Sequence, residues 1–114
     1  MIRCLTSLIL LPAGLSGCSP SPTAGGFDSP NPAARLYAIE DSVQSGDTSS
    51  VREIVRELRS VDPAARLMAI EALRRLTGET MGYRHDDPVA EREAAIDRWE
   101  QAVADNPAWR PSDA

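Results

Sequence analysis

The chain has 114 residues, of which 42% are hydrophobic, 25% charged and only 4% aromatic, and its formal net charge is −5. That length suits a single domain, and an acidic chain whose basic residues are all Arg offers no basic face with which to displace counterions from nucleic acid. Two cysteines, Cys4 and Cys18, both lie near the start, so no disulfide framework spans the rest, and a single His, His85, leaves little for metal or acid–base chemistry.

Met1-Ile2-Arg3 supplies a positive start, and Cys4 to Leu15 is a mostly apolar run containing Leu5, Leu8, Ile9, Leu10 and Leu11. A membrane-spanning helix needs about 20 apolar residues, so the shorter run reads as the apolar region of an export signal. Pro12 and Gly14 loosen the helix near its end, where a peptidase needs extended backbone. The next four residues, Leu15-Ser16-Gly17-Cys18, resemble the lipobox of bacterial lipoproteins: a branched apolar residue, two small residues, then Cys. The resemblance implies a signal peptide over residues 1–17, cleavage between Gly17 and Cys18, and lipid attached to the Cys18 sulfur. It therefore implies an extracytoplasmic protein of the cell envelope, anchored to the membrane through that lipid. Ser19, where an Asp would favour inner-membrane retention, implies the periplasmic side of an outer membrane if two membranes are present.

Residues 18–32 then read as the lipidated Cys and a Pro/Ser/Gly tether, with Pro20, Pro22, Pro30 and Pro32 and the pair Gly25-Gly26. So little apolar surface cannot offset the entropy of ordering the segment. A tether of that length holds the domain on the order of 20 Å from the lipid surface. Its lone aromatic, Phe27, reads as incidental.

The body opens on a repeat. Asn31-Pro-Ala-Ala-Arg-Leu-Tyr-Ala-Ile-Glu40 and Asp62-Pro-Ala-Ala-Arg-Leu-Met-Ala-Ile-Glu71 match at eight of ten positions with a spacing of 31 residues. Self-similarity at such a period marks a solenoid or array. Each copy starts a helix, with Asn31 or Asp62 as cap and Pro32 or Pro63 at the first helical position. Periodicity and punctuation predict four helices. The first covers about 32–44 with Leu36, Ile39 and Val43 on one face and stops at Gly46. The second covers about 50–60, opening on a Ser50/Glu53 capping box and carrying a stripe of Val51, Ile54, Val55 and Leu58. The third covers about 63–77, with Ala69, Ile70, Leu73 and Leu76 inward and Gly78 as its left-handed stop. The fourth covers about 88–104, capped by Asp87 and burying Ala95, Ile96, Trp99, Ala102 and Val103, and Asn106-Pro107 ends it. No segment alternates in the manner of a strand.

Asp62-Pro-Ala-Ala-Arg66-Leu-Met-Ala69-Ile-Glu-Ala72-Leu73 resembles the first helix of a HEAT-like repeat, and Val51 to Leu58 resembles the second. The segment from Leu76 to Tyr83, with the acidic loop and the Trp99 helix that follow, is similar to a cap found after such repeats. The resemblance implies an all-α domain over residues 33–104, a short α-solenoid of about four helices in two stacked pairs, with a polar tail over 105–114. It further implies that Arg35 and Arg66 join a ladder with Asp side chains, Asp62 lying within pairing reach of Arg66.

Reactive constellations are thin. His85, Asp86 and Asp87 are adjacent in sequence and lack a second His or a Cys to complete a metal site. The serines have no patterned base, and Gly25-Gly26 follows no strand, so neither nucleophilic catalysis nor phosphate binding is expected. The expectation is a protein that is not an enzyme, with no cofactor, no metal and no small-molecule substrate. On the second helix Val51, Ile54, Val55 and Leu58 point inward, which turns Glu53 and Arg56 outward with Arg52 at the side. In HEAT-like stacks that layer is concave, so Arg52, Glu53 and Arg56 form the expected partner face. Trp99 reads as core, whereas Trp109 has no predicted helix to pack in. The reading is a lipid-anchored, non-catalytic interaction module for an unidentified envelope protein. A pilotin-like role in assembling or targeting an envelope complex, through an apolar groove between helices, is the alternative, and an enzyme-accessory role ranks third.

Overall fold

A computed structural model of the chain describes Gly17 and residues 24–111. Residues 1–16 of the expected signal peptide and Cys18, the expected lipid attachment site, lie outside those residues. Four α-helices follow in order: α1 (Pro32–Ser45), α2 (Val51–Glu57), α3 (Pro63–Thr77) and α4 (Val89–Asp105). Short 3-10 turns lie at Gly26–Asp28, Thr48–Ser50 and Pro107–Trp109, and the described residues contain no strand.

The helix starts at α1 and α3 are the ones the repeat demands. Asn31 Oδ1 accepts the Ala33 N–H at 3.1 Å, and Asp62 Oδ1 accepts the Ala64 N–H at 2.9 Å. Both helices stop where a glycine turns left-handed, at Gly46 (φ 68°) and Gly78 (φ 79°), a conformation other residues adopt only with strain.

The structural repeat is longer than the sequence motif. Ser29 Oγ accepts the Asn31 N–H at 3.1 Å, and Ser60 Oγ accepts the Asp62 N–H at 3.2 Å. Arg35 Nη1 donates to the Ser29 carbonyl at 2.8 Å, and Arg66 Nη1 donates to the Ser60 carbonyl at 3.0 Å. A unit of the form Ser-x-Asx-Pro-Ala-Ala-Arg thus closes on itself twice, with the same bonds at the same offsets.

Three local expectations give way. The Asp ladder is absent at Arg66, whose guanidinium is taken by the carbonyls of Ser60, Val61 and His85, while Asp62 is committed to its cap. Ser50 and Glu53 form no capping box. The chain is already turning at Thr48–Ser50, so Asp47 caps one turn earlier, accepting the Ser49 N–H at 3.0 Å and the Ser50 hydroxyl at 3.0 Å. The Ser49 hydroxyl also donates to Asp47 at 2.6 Å, and this bond, helped by the other two, holds the Asp47 carboxyl below the usual carboxylate range. Asp87 does not cap α4: Pro88 takes that position without a side-chain bond, and the Asp87 carboxylate faces Arg84 at 3.6 Å.

α1 packs on α3, and α2 packs on both α3 and α4. The core at these contacts contains Ile39, Val51, Ile54, Leu58, Ile70, Leu73, Ile96 and Trp99 in one cluster, so Ile70, Leu73 and Trp99 are buried together as expected. The packed unit also reaches past residues 33–104 at both ends. Phe27, from the segment expected to be a tether, and Trp109, from the polar tail, are half-buried against that cluster.

The loop between α3 and α4 is held by side chains rather than by secondary structure. Tyr83 is buried, and its hydroxyl donates to the Leu58 carbonyl at 2.7 Å, tying the loop to the end of α2; burial pushes the phenol pKa up. Trp99 Nε1 donates to the Thr80 carbonyl at 3.0 Å, and Arg98 Nε to the Met81 carbonyl at 2.8 Å. Tyr83→Phe leaves the Leu58 carbonyl without this donor. It should cost about 1–2 kcal/mol in urea unfolding, with an unchanged dependence on denaturant. A variant as stable as the wild type would show that the bond contributes nothing.

Candidate interaction cleft

The expected partner face lies along one wall of a cleft between α2 and α4. α2 turns Val51, Ile54, Val55 and Leu58 into the core, which leaves Arg52, Glu53 and Arg56 on its other side. These three are not equivalent. Glu53 is the most covered, at 16% side-chain exposure, and its carboxylate accepts from Arg52 at 3.2 Å and from Arg56 at 2.7 Å. One carboxylate therefore serves two guanidinium groups, whose outer edges stay open to solvent at 43% and 63% exposure.

The opposite wall comes from α4, through Glu100, Val103 and Ala104, and Arg110 completes the lining. The cleft has a volume of about 310 Å³, with the buried side chains of Val55 and Val103 at its base. Arg110 is positioned by what precedes it. Asn106 Oδ1 accepts the Ala108 N–H at 3.1 Å and starts the Pro107–Trp109 turn, which lays the Trp109 ring against Trp99 with centroids 6.0 Å apart and planes at 44°. Such tilted pairs exploit the ring quadrupole. Arg110 Nε is buried and has no hydrogen-bond partner among the described residues.

Glu100 is already engaged. Arg59, in the turn just after α2, donates to both Glu93 and Glu100 on α4, and these bonds raise its pKa. Of the charges lining the cleft, Arg52 and Arg56 share Glu53, and Arg110 has no acid of its own among the described residues. The cleft lining thus carries three arginines against one glutamate, on a chain of net charge −5.

A second surface lies between α1 and α3. Ala33, Leu36, Tyr37, Glu40 and Met68 line a mostly apolar groove of about 440 Å³, and Tyr37 is 56% exposed.

The residues weighed for metal binding do not converge. Asp86 and Asp87 both turn toward Arg84, at 3.5 and 3.6 Å, and the Arg84 bond holds the Asp86 carboxyl below the usual range. Among the described residues there is no group of three His, Cys, Asp or Glu side chains arranged to hold a metal ion. No described helix is long and apolar enough to cross a membrane.

Sequence reasoning placed Arg52, Glu53 and Arg56 but missed Arg110, Glu100 and Arg59. The only local signal for Arg110 was its neighbour Trp109, an aromatic in a polar segment. No family model, no curated protein and no solved structure matches the chain.

Proposed function

We propose that this protein is a lipid-anchored, extracytoplasmic HEAT-like repeat protein that acts as a non-catalytic protein-interaction module in the cell envelope. The repeat is the observation that carries the reading. The same capped and arginine-stapled helix start is built at Ser29–Arg35 and again at Ser60–Arg66, as a two-unit array requires. The contacts of α1 with α3 and of α2 with α4 support the two helix layers of such a stack. Anchoring through Cys18 rests on the Leu15-Ser16-Gly17-Cys18 sequence. The partner face is the α2 side of the cleft, with Arg52 and Arg56 outermost.

Two measurements test the reading. Cys18→Ala should leave the precursor uncleaved and unlabelled by a palmitate analogue, because only sulfur accepts the diacylglyceryl group; incorporation of lipid by the variant would remove the anchor. Proximity labelling from the lipidated protein in cells should enrich envelope proteins over an unrelated lipid-anchored control, and equal labelling would remove the module. The pilotin-like reading draws support from the groove at Leu36, Tyr37 and Met68. A photo-crosslinker placed at Tyr37 captures the partner in that case, and one placed at Arg56 captures it in the first.

A further inference from the structure

We propose that the α2–α4 cleft is a carboxylate-binding site for an acidic peptide segment of the partner, with Arg52, Arg56 and Arg110 as its ligating residues. The inference rests on the interaction-module reading and names the chemistry that its binding face takes.

Three observations lead to it. First, Arg110 Nε is buried and lacks a partner among the described residues. A buried donor normally has an acceptor, because an unmet one incurs its full desolvation penalty. Second, among the described residues the one carboxylate in the lining, Glu100, is committed to Arg59, and the neighbouring Glu53 is committed to Arg52 and Arg56. Arg110, half-buried in the lining and with no acid of its own among the described residues, is therefore the cation left for a ligand's carboxylate. Third, the lining combines these three arginines with an apolar surface from Val55, Val103 and Ala104. A Glu side chain, with two methylenes behind a planar carboxylate, matches that combination, and guanidinium meets carboxylate in bidentate geometry.

Arg52 and Arg56 lie one helical turn apart, about 6 Å along the axis, which is close to the spacing of alternate side chains on an extended strand. A segment with acids at alternate positions can engage both. An anionic bilayer is the weaker match. The chain carries a net charge of −5, and that overall field repels a charged surface, whereas a short peptide in the cleft meets the local arginines.

The test uses the full-length protein, purified in an uncharged detergent and titrated calorimetrically. The probes are hexaglutamate with blocked ends, hexaglutamine, inorganic phosphate and vesicles of phosphatidylglycerol. Hexaglutamate should bind one per chain and hexaglutamine should not. Arg110→Gln should weaken hexaglutamate about tenfold, the effect of one charge-assisted hydrogen bond. Arg110→Lys should weaken it too, since the charge survives but the planar guanidinium fork does not. Arg56→Gln, on the exposed rim, gives the same reading if Arg110 variants fail to fold. Arg75→Gln, exposed on α3 and away from the cleft, should bind like the wild type.

Equal weakening by Arg75→Gln would reduce the effect to general charge and overturn the site. Binding of phosphate or vesicles without hexaglutamate would overturn the peptide as ligand. Failure of hexaglutamate to bind, while proximity labelling still recovers a partner, overturns the acidic ligand and leaves the module standing. Hexaglutamate binding with no partner enriched in cells removes the module and keeps the site.

Discussion

Trp99→Ala is expected to leave the protein largely unfolded at room temperature. Trp99 is fully buried, the bulkiest side chain in the core, and it reaches three separate parts of the chain. From α4 it packs in the core cluster, its Nε1–H donates to the Thr80 carbonyl, and its ring supports Trp109. Truncating a buried Trp costs about 3–5 kcal/mol. Here the Thr80 carbonyl also loses its donor and the C-terminal turn loses the surface it stacks on. A domain of this size has about 5–10 kcal/mol of stability in total. Circular dichroism in urea should show the midpoint falling to near zero denaturant. Trp99→Phe keeps much of the volume but not the hydrogen bond, so it should fold with a smaller loss. An unchanged midpoint for Trp99→Ala would refute the central place given to this ring.

Leu73→Ala is the second large effect. Leu73 is fully buried on α3, the helix that touches both α1 and α2, so a cavity there opens where two helix contacts meet. The expected loss is about 2–5 kcal/mol, from transfer and cavity together. Leu67 on the same helix is the control: it is 42% exposed, and Leu67→Ala should change stability by less than about 1 kcal/mol. Thermal melts of the two variants side by side separate core packing from any general effect on α3 helicity. Similar melts would show that the burial difference carries no energy.

How much of this was legible depends on how local the cause is. The limits of α1 and α3 were readable almost to the residue, because Asx-Pro starts and Gly stops act within one turn. The expected span of the second helix was too long. The apolar stripe continues to Leu58, but the chain tightens into i→i+3 bonds from Leu58 to Ser60, and periodicity alone does not reveal a turn that keeps the same face inward. The Asp ladder failed at Arg66 for a different reason. Spacing brought Asp62 within reach, yet the helix N–H groups claimed that carboxylate first and Arg66 took carbonyls instead.

Residues whose partners are distant in sequence gave no sign at all. Tyr83 meets Leu58, and Arg59 meets Glu93 and Glu100, across spans that no local pattern encodes. The cleft was half legible for that reason. Arg52, Glu53 and Arg56 follow from the face of one helix, whereas Arg110 arrives through a turn whose position is set by a tryptophan on another.

That turn also bears on when the protein can fold. Pro107–Trp109 packs against Thr48–Ser50, the corner between the first two helices. A chain made N-terminus first therefore holds that corner uncovered until residues 107–109 emerge. The four helices can begin to assemble before that turn is made, but its contact with the corner is closed only afterwards. Completion of the native packing thus waits on Pro107–Trp109, and a product cut short before that turn would leave Trp99 without the ring that stacks on it.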